Sequence, residues 1–146
     1  MIRGVIFDFN RTLYNPDTYQ LNGGALAILD EFTKRGYLMC LISKRTVSGR
    51  DEKITGFGLE KYFKKIQVIE GEKSSSSFLE CAQAMNLANE EVAVIGDRTR
   101  SELSAGKKIG MKTIWYQQGK FASEFALPGE EPDEIIHKLE DALTLV

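Results

Sequence analysis

Apolar residues in this chain fall into two kinds of pattern. Short continuous runs alternate with longer stretches in which apolar positions recur every three or four residues. Residues 3–9 form the first run, Arg3-Gly4-Val5-Ile6-Phe7-Asp8-Phe9, and they predict a buried strand closed by an acid. Residues 10–22, rich in Asn, Asp and Pro, predict a loop. Ala25, Ile28, Leu29 and Phe32 then recur at helical spacing, with Lys34 and Arg35 in the last turn and Gly36 as the stop. Residues 37–42 are apolar on both faces, as in a central parallel strand. Residues 46–57 predict a weaker helix and residues 66–69 a third strand. Ser77 with Glu80 has the spacing of a capping box opening a helix through Phe78, Leu79, Ala82 and Met85. Residues 92–95 predict a strand ended by Gly96, residues 101–109 a helix closed by Gly110, and residues 113–116 a further strand. Residues 119–132 read as loop, and a short strand and helix are expected to close the chain.

Strands alternating with helices predict an α/β domain: a doubly wound, Rossmann-like parallel sheet flanked by helices. At 146 residues the chain fits one domain, spanning 1–146. A domain of that size buries roughly 70% of its unfolded surface, so no disulfide or structural metal is required. Cys40 and Cys81 lie in apolar runs and read as buried thiols. A net charge of −2 argues against coating nucleic acid or binding a membrane through a basic patch. No apolar run approaches the ~18 residues of a membrane span, and no signal-peptide core precedes Asp8, so a cytoplasmic location is expected.

In open α/β sheets, ligands bind beyond the carboxyl ends of the strands. Those ends carry the candidate chemistry. Asp8 closes the first strand, with Asn10 and Thr12 just after it. Ser43, Lys44 and Arg45 follow the second strand, and Lys73 lies in the loop after the third. Asp97, Arg98, Arg100 and Glu102 follow the fourth. Two carboxylates meeting on one rim repel each other unless a cation lies between them, and hard oxygen ligands suit Mg²⁺. The basic residues would then face a phosphoryl group, whose transfer relies mostly on positioning and charge stabilisation.

These residues resemble the haloacid dehalogenase-like superfamily. Val5-Ile6-Phe7-Asp8-Phe9-Asn10-Arg11-Thr12-Leu13 is similar to its first motif, D-x-D-x-T after an apolar strand. Leu41-Ile42-Ser43 resembles the second, Lys73 stands where the third-motif lysine belongs, and Gly96-Asp97 followed by Glu102 resembles the fourth. The resemblance implies that Asp8 is a phosphoryl-accepting nucleophile and a Mg²⁺ ligand. It assigns the second metal contact to the backbone carbonyl of Asn10 and a third to Asp97, with Glu102 holding coordinated water. Ser43 and Lys73 would bind phosphoryl oxygens.

The chain departs from the pattern at Asn10, where most phosphatases of the family carry a second Asp that protonates the leaving group and then activates water. The resemblance therefore implies a phosphatase or phosphotransferase slow on alkyl phosphates. The alternative it leaves is a catalytically weak relative serving as a phosphate-binding or regulatory module. Asp8 to Ser43 spans 35 positions and Ser43 to Lys73 spans 30, which leaves no room for the cap domains many relatives insert there. In this family a capless site goes with large substrates or with cover from a neighbouring subunit. Arg11, Lys44, Arg45, Arg98 and Arg100 are expected to ring it, either pairing with the site's own acids or receiving a substrate with more than one anionic group. A response-regulator receiver fits less well, because its phosphorylated Asp sits on the third strand and residues 66–69 lead into Glu70. His137, the sole histidine, is expected at the surface or a core edge, away from these motifs.

Overall fold

The computed structural model describes residues 1–45 and 50–146. Its elements, in chain order, begin with β1 (Gly4–Asp8), β2 (Tyr14–Asn15), β3 (Gln20–Leu21), α1 (Ala25–Lys34), β4 (Leu38–Lys44) and α2 (Arg50–Gly56). They continue with β5 (Lys65–Ile69), α3 (Ser75–Met85), β6 (Val92–Gly96), α4 (Glu102–Lys107), β7 (Lys112–Tyr116) and β8 (Glu134–Ile136). Six strands form one parallel sheet in the order β5-β4-β1-β6-β7-β8. The chain winds outward from β1 to β5, then crosses back to β6 and winds the other way. The reversal lies between β1 and β6, the place where open α/β sheets form their ligand crevice.

Strand alternation sorts the core into two layers. Val5, Phe7, Met39, Leu41, Ala93 and Ile95 face α1, packing with Ile28, Leu29 and Phe32. Ile6, Cys40, Ile42, Val92 and Val94 face the other side, against Phe78, Cys81 and Ala82 of α3 and Leu103 of α4. Each fully buried side chain of this size is worth about 1.5–3 kcal/mol relative to exposure, so the two layers hold the sheet without a cross-link. Cys40 and Cys81 are both free and buried.

Several elements differ from the sequence-based expectation. The loop expected at residues 10–22 contains the hairpin β2–β3, whose two-residue strands are too short to show a periodic pattern. The α3 helix starts at Ser75 rather than at the Ser77–Glu80 pattern, and Ser77 lies buried inside it. Ser75 Oγ donates to the Ala105 carbonyl of α4 (2.9 Å), a tertiary contact that extends the first turn. The second helix is seen as Arg50–Gly56, and the part expected at residues 46–49 lies outside the described residues. The closing helix is a 3₁₀ segment, Leu139–Thr144. Residues 9–37 between β1 and β4 hold only the hairpin and α1, so no separate domain is inserted there.

Candidate active site

The loop leaving β1 is wound tightly around the Phe9 carbonyl. Leu13 and Tyr14 both donate their backbone N–H to it at 3.0 Å. The buried rings of Phe9 and Tyr14 stack 5.1 Å apart, nearly parallel at 6°. This winding carries Thr12 back beneath the strand end, where its Oγ1 donates to Asp8 Oδ2 (3.1 Å). The other oxygen of Asp8 accepts a short hydrogen bond from Lys73 Nζ, and the same ammonium reaches Glu102 Oε1 at 3.2 Å. Lys73 belongs to the loop between β5 and α3, and its side chain is buried to 5% exposure. Burial pushes its pKa down, but the adjacent charges of Asp8 and Glu102 outweigh burial and hold it above the usual lysine range.

Asp97 follows β6, the strand that pairs with β1 on the side opposite β4. Ligand oxygens of Asp8, Asp97 and Glu102 lie within 4.8 Å of one another, and all three residues are buried. Gly96 makes this approach feasible. A Cβ at that position would stand 2.3 Å from Glu102 Cγ and Oε2, displacing the carboxylate. Glu102 Oε2 also accepts the Arg98 backbone N–H at 2.9 Å, which fixes the turn between β6 and α4. The Asp97 carbonyl accepts a hydrogen bond from the buried indole Nε1 of Trp115 on β7 (2.9 Å). Sequence reading missed Trp115, because only the register pairing of Gly96 with Trp115 brings it there.

A cavity of about 150 Å³ opens over these groups, lined by Asp8, Asn10, Lys73, Asp97 and Glu102, with Arg11, Lys44, Arg98 and Phe121 at its edge. Ser43 is the penultimate residue of β4, is wholly buried, and does not line the cavity. Asn10 is half-buried and held by its bridge to Tyr14. Four of the five rim bases pair with carboxylates, rim acids rather than those of the site, and Arg100 Nε donates to the Phe125 carbonyl. Arg11 pairs with Asp17 (3.3 Å), Lys44 with Glu72 (3.1 Å), and Arg45 with Glu70 (3.8 Å). Arg98 pairs with Glu124 (2.9 Å) and lies over the Phe121 ring, 4.2 Å from its centroid. Glu124 also accepts from Thr99 Oγ1 and the Arg100 backbone N–H, so it ties the loop after β6 to the tail. No local pattern singles out Glu124, which stands in an acid-rich loop 22 residues beyond Glu102. His137 is exposed, engages Gln117 at 3.0 Å, and is not among the residues lining the cavity.

A family model described as HAD-hydrolase-like matches residues 71–142. Over 127 residues the chain is 30% identical to the glyceraldehyde 3-phosphate phosphatase of Pyrococcus furiosus, an overlap covering 84% of this chain and 53% of that protein. The chain belongs to the haloacid dehalogenase-like superfamily. It is also 27% identical to the phosphoserine phosphatase of Thermus thermophilus, over 69% of this chain and 42% of that protein. A putative phosphatase from Clostridium difficile has the same fold, with a TM-score of 0.80 at 16% identity and coverage of 99% and 98% of the two chains. The haloacid dehalogenase-like domain seen here spans about half the length of the curated relatives it matches.

The carboxylate cluster of this haloacid dehalogenase-like domain fits a divalent cation. Three buried carboxylates face one ammonium, and Asp97 Oδ2 is a buried oxygen with no hydrogen-bond partner. Burial, reinforced by the charges of Asp8 and Glu102, pushes the Asp97 pKa up to about 10. Burial likewise raises that of Glu102, with Asp8 adding to the effect. The folded state thus holds protons that the unfolded chain releases. That contribution to stability is complete below the ordinary carboxylate range and is lost as pH rises toward 10. In metal-free buffer, melting temperature should fall as pH is raised from about 5 to 9. Millimolar Mg²⁺ should flatten that fall, adding about 2.7 kcal/mol at a hundredfold excess over Kd, or roughly 5–10 °C for a domain of this size. Calorimetry on the parent and Asp97→Asn checks this. An equal response to Mg²⁺ in both proteins would remove Asp97 from the site.

Proposed function

We propose that this domain is a Mg²⁺-dependent phosphatase or phosphotransferase acting on phosphate monoesters through an aspartyl-phosphate on Asp8. The observation that carries this reading is the setting of the Asp8 carboxylate. It is oriented by Thr12 and Lys73 at the reversal point of the sheet, with Asp97 and Glu102 close enough to share a cation. The named relatives that hydrolyse phosphate esters support it.

In the proposed reaction an Asp8 oxygen attacks phosphorus, the P–O ester bond breaks, and its electron pair leaves with the alcohol oxygen, which takes up a proton. Water then attacks phosphorus, the bond from phosphorus to the Asp8 oxygen breaks with its electron pair returning to the carboxylate, and inorganic phosphate leaves as the water proton passes to solvent. Mg²⁺, held by Asp8, Asp97 and the Asn10 carbonyl with Glu102 behind them, would supply charge neutralisation at the phosphoryl oxygens. Lys73 is the principal side-chain contact to those oxygens. Ser43 is a lesser one, because it is buried outside the cavity lining. Thr12 holds one Asp8 oxygen and Lys73 the other, which together orient the carboxylate at the strand end.

Asn10 favours a second reading, a weak relative that binds phosphate without turning over. The test of the first is direct. The parent protein with Mg²⁺ and acetyl phosphate should form a phosphoryl adduct that peptide mass mapping assigns to Asp8. An adduct on another residue, or none under conditions where phosphate binding is measurable, would leave the binding-module reading in place.

A further inference from the structure

A second cavity of about 190 Å³ adjoins the first, and Arg11 lines both. Its walls come from two parts of the chain that local sequence does not connect. Asn15, Asp17 and Asn22 belong to the β2–β3 hairpin region, and Tyr116 and Gln118 follow from β7. Arg11 sits at a φ of +65°, a left-handed conformation that is uncommon for a residue with a side chain. The backbone is held there by the Arg11 N–H donating to the Tyr14 carbonyl at 2.7 Å. Strain of this kind, kept at the boundary of two cavities, points to a positioned guanidinium.

The chemistry of the second cavity is neutral and rich in hydrogen-bonding groups. Among the described residues that line it, the one cation, Arg11, is matched by the one carboxylate, Asp17, at 3.3 Å. The remaining polar groups are three carboxamides and a phenol. An anion entering here would meet the Asp17 carboxylate, whereas hydroxyl groups find both donors and acceptors. Lys44 and Arg98 likewise pair with carboxylates, which lowers the field available to a second anionic group.

We infer that this second cavity is the leaving-group subsite, and that it takes the uncharged, hydroxylated part of a phosphate monoester, with Arg11 bridging it to the phosphoryl site. The inference rests on the phosphatase reading above and names the substrate class for that site. It replaces recognition of multiply anionic substrates by recognition of polyol- or sugar-like phosphates.

Three matched substrates test it: glycerol phosphate, propyl phosphate, and the phosphate ester of 3-hydroxypropanoate, which carries a carboxylate instead of hydroxyls. The expected order of kcat/KM is glycerol phosphate first, by about tenfold over each of the others, a size that one or two hydrogen bonds supply. Asn15→Ala and Gln118→Ala, on opposite walls, should each lower the ratio of glycerol phosphate to propyl phosphate by severalfold, mainly through KM. Asn15 Oδ1 also accepts the Asp17 backbone N–H and Gln118 Nε2 donates to the His137 carbonyl, both at 2.9 Å, so the melting temperature of each variant is compared with the parent's to separate a folding effect. A preference for the carboxylate ester, or ratios unmoved in both variants, would overturn the subsite. Absence of the Asp8 adduct with acetyl phosphate would instead overturn the phosphatase reading on which it rests, so the two failures are distinguishable.

Discussion

Lys73→Met should slow phosphoryl transfer by about 10²–10³-fold, the loss seen when one preorganised donor to a developing oxyanion is removed. Methionine keeps the length of the side chain and removes the charge. The same change should lower stability, because it leaves Asp8 and Glu102 buried without their shared ammonium. Removing one partner of a buried ion pair costs about 3–5 kcal/mol. The two effects separate in one experiment. Acidification protonates the stranded carboxylates and should recover melting temperature, as should Mg²⁺, while the rate of adduct formation on Asp8 stays low under both. Adduct formation by folded Lys73→Met at the parent's rate would show that the lysine holds the carboxylates in place and does nothing to the phosphoryl group.

How far the site was legible in the sequence depends on the range of the contact. Asp8 and Asp97 were visible because each ends a short apolar run, and alternation of strands and helices puts all strand ends on one edge. Lys73 was visible only through its family position, since a single lysine in a loop carries no pattern. Its burial between two carboxylates belongs to the tertiary structure. Trp115 and Glu124 were not legible at all. One acts through a register pairing of β6 with β7, and the other through the tail folding back over the loop after β6. Of the bases expected to ring the site, Arg11, Lys44 and Arg98 line the cavity while Arg45 and Arg100 do not. The acids paired with Arg11, Lys44, Arg45 and Arg98, namely Asp17, Glu72, Glu70 and Glu124, lie in other loops or beyond a turn. The start of α3 was misread for the same reason, a bond from Ser75 to α4 outweighing a local capping pattern.

Asn10→Asp is expected to raise turnover of alkyl phosphates by at least about tenfold. General acid–base help is worth roughly 10²–10⁴-fold, and a newly placed carboxylate whose pKa has not been tuned should supply the lower part of that range. Asparagine donates a hydrogen bond but does not transfer a proton at useful pKa, so departure of a basic alkoxide suffers most in the parent. A nitrophenyl or acyl phosphate leaves as a weaker base and needs the proton less, which predicts a parent that prefers activated phosphates. Asn10 lines the cavity beside Asp8, and its backbone is held by the bridge to Tyr14, so the near-isosteric change alters the side chain without moving the loop. The new acid should quicken both halves of the reaction, protonating the leaving alcohol first and then activating water against the aspartyl-phosphate. The measurements are steady-state hydrolysis of an alkyl and an aryl phosphate by both proteins, together with the lifetime of the Asp8 adduct. The gap between the two substrates should narrow and the adduct should decay faster. If alkyl turnover is unchanged in Asn10→Asp yet vanishes in Asp8→Asn, another group supplies the proton. Among the described residues lining the cavity, Glu102 is the carboxylic acid to test next, because burial and the charge of Asp8 raise its pKa above the usual carboxylate range.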